Sequence, residues 1–90
     1  MKFEEIERLF TGAIYSYGRQ GLYFKSKIEK VEEFNEVFWG DKVILYLVDN
    51  AGAIQVPIDN IKKVNDLENC KYCYSLKNML DEEIGHVCKQ

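Results

Sequence analysis

Apolar positions recur at helical spacing over residues 2–10. Phe3, Ile6, Leu9 and Phe10 line one face there, and Lys2, Glu4, Glu5, Glu7 and Arg8 fill the other. The glutamates of the first turns suit the positive end of the helix dipole, and Thr11-Gly12 provides a stop. A helix this short is marginal alone in water, so it is expected to dock as a lid on an apolar surface. From Ala13 the period falls to two. Ala13, Tyr15 and Tyr17 alternate with Ile14 and Ser16, and Gly18-Arg19-Gln20-Gly21 turns the chain. Leu22, Phe24, Ser26 and Ile28 then alternate with Tyr23, Lys25, Lys27 and Glu29.

After Ile28 the alternation slips, with Val31 and Phe34 the next apolar positions. One extra residue throws all later side chains to the other face. The slip therefore predicts a bent strand over Leu22–Phe34 in preference to a helix over Ile28–Phe38. Lys42–Asn50 is the strongest strand, and its near-continuous apolarity predicts cover on both faces. Asn50-Ala51-Gly52 forms a hairpin turn, since Asn50 and Gly52 tolerate positive φ, and Ala53–Ile58 returns. Pro57 cannot donate to a ladder, Asp59-Asn60 fits a tight or 3₁₀ turn, and Ile61–Val64 is a short last strand. Asp66 then caps an expected helix running to Ile84, with Gly85 as its stop. Leu67, Cys70, Cys73, Leu76, Leu80 and Ile84 make its apolar stripe, the expected cover for the Lys42–Asn50 strand.

These elements predict one α+β domain over residues 1–90 that is mainly β. A short N-terminal helix (1–11) precedes a small barrel or strongly bent antiparallel sheet of about five strands (12–65), and a C-terminal helix and tail (66–90) follow. The strand order and the VPIDNIKKV corner at Val56–Val64 resemble the small SH3-like barrels, and among them the Sm-like domains. That resemblance covers residues 2–64 and implies self-association into rings or RNA binding, although no Sm-type RNA-binding motif matches residue by residue.

Charge narrows the partners. The net charge is −3, and the twelve basic residues are scattered, with no run longer than Lys62-Lys63. Nucleic-acid binding thus lacks its electrostatic footprint. The longest apolar run, Val43–Val48, is too short to span a bilayer, and the N-terminus carries three glutamates where a signal peptide would be apolar. Three cysteines, an odd number, agree with a reducing compartment. The chain is expected to be soluble and cytoplasmic, with no membrane role.

Every cysteine and the single histidine fall in the last stretch, as Cys70 and Cys73 in CKYC and His86 and Cys88 in GHVC. Thiolates with an imidazole suit tetrahedral zinc. The first pair, however, lacks the glycine or proline that shapes a zinc knuckle and continues the apolar stripe, where free cysteine acts as a small hydrophobe. Buried cysteines and a frayed tail holding His86 are the preferred reading, with no metal and no cofactor. A CKYC redox pair would need a βαβ frame that the meander of strands does not offer.

The carboxylate runs Glu29, Glu32, Glu33, Glu36 and Asp81-Glu82-Glu83 read as solvated faces. No nucleophile elbow and no glycine-rich phosphate loop occurs. The chain is accordingly expected not to be an enzyme. Tyr15, Tyr17, Tyr23, Phe38 and Trp39 are more aromatic surface than one small core absorbs, and they are the candidate partner-binding residues. The resulting expectation is a small acidic binding or regulatory module that contacts a protein partner or further copies of itself. Its composition also fits an inhibitor encoded by a phage or mobile element. Two alternatives stand beside it: a nucleotide binder using Arg19, Lys25 and Lys27 for phosphate, and a zinc-dependent nucleic-acid module built on the Cys/His group.

Overall fold

The computed structural model describes residues 1–38, 40–64 and 70–89. Helix α1 (Phe3–Phe10) leads into strands β1 (Ile14–Arg19), β2 (Leu22–Glu36) and β3 (Gly40–Leu47). A 3₁₀ turn at Val48–Asn50 connects to β4 (Ala53–Pro57), and a second at Ile58–Asn60 to β5 (Ile61–Lys63). Strands β6 (Tyr72–Lys77) and β7 (Glu83–Lys89) complete an antiparallel sheet of seven strands in the order β4-β3-β2-β1-β7-β6-β5.

The period-two reading of residues 13–64 holds. β2 is one long strand, and its register against β3 shifts between Ile28 and Lys30, where the alternation slips. Its 15 residues would run about 46 Å if straight. The molecule is only 37 Å in its longest dimension, so the bulge must bend the strand. The Asn50 turn uses positive φ at both Asp49 and Asn50. The Pro57 corner is the 3₁₀ turn expected of it.

Sheet order also dictates curvature. The edge strands of a flat sheet of seven would lie about 29 Å apart at the usual strand spacing. Yet β4 and β5 are those edges, and the link between Pro57 and Ile61 spans at most about 14 Å. The sheet therefore curls until its edges meet end to end. β4 touches β6 across the gap, and Asn60 Nδ2 donates to Asn78 O at 2.7 Å. No ladder pairs β4 with β5 among the described residues, so the sheet is curled but not closed.

The helix expected over Asp66–Ile84 is replaced by β6 and β7, and Asp66 itself lies outside the described residues. Tyr72, Tyr74 and Leu76 alternate with Cys73, Ser75 and Lys77, a period of two that the wider stripe from Leu67 to Ile84 obscures. Asn78 breaks the run. Its Oδ1 accepts the N–H groups of Leu80 and Glu82 at 2.9 and 3.0 Å, an Asx turn that starts the hairpin. His86 consequently sits on a strand, not in a frayed tail. The outer face of β3 needs no helix either. Ile44 and Tyr46 are only half-buried there, and Lys30 Nζ reaches over the Tyr46 ring, 5.8 Å from its centroid.

The core lies inside the curl, with α1 as the lid foreseen. Ile6 and Phe10 are fully buried against Ile28, Leu45, Leu76 and Val87. Phe10 meets Tyr74 in a tilted ring contact at 5.5 Å. The hydroxyl of Tyr72 donates to Leu9 O and that of Tyr15 to Ile84 O, pinning the helix end and β7. Burial, helped by neighbouring tyrosines, holds both phenols above the usual 10.0, and for Tyr72 Arg8 partly opposes it. Above about pH 10 the unfolded chain releases these protons while the fold retains them, so the unfolded state binds fewer protons and stability falls as pH rises. Melting temperature is thus expected to hold below about pH 10 and to drop above it, and Tyr15→Phe should flatten that drop. An unchanged slope in the variant would show that Tyr15 takes no part.

Candidate functional site

The two ends of β2 carry the most exposed apolar surface. At the first end, β1 pairs with β2 from Ile14 to Arg19, but β7 pairs with β1 only from Ile14 to Ser16. β3 meets β2 only from Ile28 onward. The Tyr17–Phe24 hairpin is therefore a two-stranded arm without a third strand among the described residues. Its tip is a two-residue turn at Gln20-Gly21, both with positive φ (52° and 83°), the twist that suits a tight hairpin and favours glycine.

The arm is apolar beyond what a tip requires. Leu22 is 80% exposed, Tyr23 70% and Phe24 42%. Tyr17 stands opposite Phe24 in the ladder, and Phe24 meets buried Tyr15 with ring centroids 6.3 Å apart. One aromatic line so leads from the core out along the inner face. Tyr17, Gln20, Leu22, Tyr23 and Phe24 line a groove of about 450 Å³ at the arm. Tyr23 lies on the other face, against Gly18, with Lys25 and Lys27 following it on the same side.

At the opposite end of β2, Val37 and Phe38 are 94% and 88% exposed, with Phe34 partly so. Glu33 and Asp41 are exposed on the strands that lead to this tip. The structure thus divides the five aromatic candidates. Tyr15 is core, Tyr17 and Tyr23 belong to the arm, and Phe38 belongs to the far tip. Trp39 lies outside the described residues. Leu22, Phe24 and Val37 join them, unforeseen, because alternation gives a side chain's face but not where its neighbouring strands stop.

Lys25 and Lys27 follow Tyr23 on the arm's outer face, and neither lines the groove. A second groove beside the bulge, about 420 Å³, is crossed by the Lys30–Glu32 ion pair at 2.6 Å. Cys73 and Cys88 stand opposite each other on β6 and β7, joined as a disulfide, and Cys70 is a free thiol. No group of three His, Cys, Asp or Glu among the described residues is placed to hold a metal ion. No helix among those residues is long and apolar enough to cross a membrane. No family model, curated protein or solved structure matches the chain.

Proposed function

We propose that this chain is a small acidic, non-enzymatic binding or regulatory module of the cytoplasm that works through protein contacts, and that the partner its surface fits best is a second copy of itself. The carrying observation is the opposed chemistry of the two ends of β2. One end offers Leu22, Tyr23 and Phe24 beside Lys25 and Lys27, and the other offers Val37 and Phe38, with Glu33 and Asp41 on the strands that lead to them. Apolar anchors flanked by opposite charges are complementary in both respects that guide docking. Joining unlike ends gives a head-to-tail contact, which closes into a ring or continues as a chain.

Light scattering across a concentration series tests this. Wild type is expected to associate, more weakly in high salt, since the flanking charges are exposed. Leu22→Ser/Tyr23→Ser and Val37→Ser/Phe38→Ser should each weaken association at least about tenfold while leaving the melting temperature unchanged, because these side chains are already in water. Mixed together, the two variants should form a heterodimer through their remaining intact ends and stop there. Wild type that stays monomeric throughout, or variants that associate as it does, overturns the reading.

A further inference from the structure

The sheet ends in two unlike edges. β5 carries Lys62 and Lys63, the kind of charge that guards an exposed strand, whereas residues 51–58 around β4 hold no charged side chain. The phase of β4 follows from one bond. The Leu47 N–H donates to Gly52 O at 2.9 Å, so Gly52, Ile54 and Val56 turn their backbone groups toward β3 in the antiparallel ladder. Ala53, Gln55 and Pro57 turn theirs the other way. Pro57 has no N–H to offer, and this outward phase of an edge strand is where proline is tolerated. Ala53 and Gln55 are exposed, and among the described residues no strand or loop bonds to them on that side. Near Pro57 the edge is hemmed in, since Gln55 and Pro57 share a groove of about 290 Å³ with Asn78, Met79 and Leu80. The open part runs from Gln55 back to Ala53.

We infer that β4 pairs with β4 of a second copy, antiparallel and about a two-fold axis at Ile54. Two outward-facing residues on either side of a central one are self-complementary in that arrangement. Ala53 exchanges its N–H and C=O bonds with Gln55 of the second copy, and Gln55 does the same with Ala53. The side chains agree with the backbone. Short Ala53 faces long Gln55, and half-buried Ile54 meets its own counterpart and gains apolar cover. No charge on residues 51–58 opposes its own copy across the axis, a repulsion that the lysines of β5 would bring to the other edge. An isologous contact of this kind is complete with two copies. It is small, so the dimer is weak and depends on concentration. It also uses a surface apart from the ends of β2 and stands whether or not those ends associate.

The test uses the Leu22→Ser/Tyr23→Ser chain, in which the contact between the ends of β2 is removed. Light scattering up to about millimolar concentration should show monomers passing to dimers and no further. Amide exchange across that series should slow about tenfold at Ala53 and Gln55 and stay constant at Ile54, which is already bonded to β3. Ala53→Lys/Gln55→Lys sets like charges opposite each other across the axis and should weaken the dimer about tenfold. Ala53→Glu/Gln55→Lys sets opposite charges face to face in this register and should restore it. A chain that stays monomeric to about millimolar leaves the edge to solvent or to a foreign strand, and overturns the inference. Ala53 and Gln55 amides that exchange alike throughout, or an opposite-charge variant as weak as the lysine one, overturn it too.

Discussion

Gly85→Ala is expected to destabilise the fold by about 3–5 kcal/mol, combining overpacking with backbone strain. A Cβ at residue 85 would stand 2.4 Å from Tyr15 Cε1 and 2.8 Å from Ser16 O. Neither neighbour can yield. The Tyr15 ring is buried and tied through its hydroxyl to Ile84 O, and Ser16 O belongs to a strand paired on both sides. At φ 143° residue 85 also adopts a backbone that a side chain rarely takes. A domain of this size has a total stability of roughly 5–10 kcal/mol, so the variant should melt far below wild type or fail to unfold cooperatively. A denaturant midpoint within error of wild type would show that β7 can shift away from Tyr15.

Phe10→Ala is expected to cost about 3–5 kcal/mol by a different route, a cavity under the lid. Phe10 is fully buried at the end of α1 and fills the space over Tyr74. An eight-residue helix has little stability of its own, so losing its main anchor should free the lid before the sheet melts. Hydrogen exchange should then show α1 amides exchanging ahead of those in β2 and β3. If α1 and the sheet lose protection together, the helix is part of one cooperative unit and not a lid.

Much of the sheet was legible in the chain because its alternation is local. The slip after Ile28 appears as the bulge, and Pro57 marks the 3₁₀ corner. The C-terminal third is ambiguous in sequence because Tyr72, Tyr74 and Leu76 satisfy a period of two, while Leu67, Cys70, Cys73, Leu76 and Leu80 satisfy a helical one. The run Asp81-Glu82-Glu83, ill placed at the negative end of a helix, already pointed away from the helix. Of the site, the aromatic excess could be seen but its division could not. That Tyr15 is core and Tyr23 arm depends on β7 leaving β1 after Ser16, a limit set by pairing between residues far apart in the chain.

The central position of β7 bears on the order in which the molecule assembles. It lies between β1 and β6, although it comes last in sequence among the described strands. Until it arrives, β4-β3-β2-β1 and β6-β5 are separate ribbons, and β1 and β6 each show an open edge of the kind that invites wrong pairing. Matching Ile14 to Cys88 closes one of the longest loops the chain can make. Such non-local pairing makes folding slow relative to a helical domain of equal size. The pairings of β7 are thus among the most non-local in the sheet, and Gly85 leaves the room that the Tyr15 ring occupies beside it.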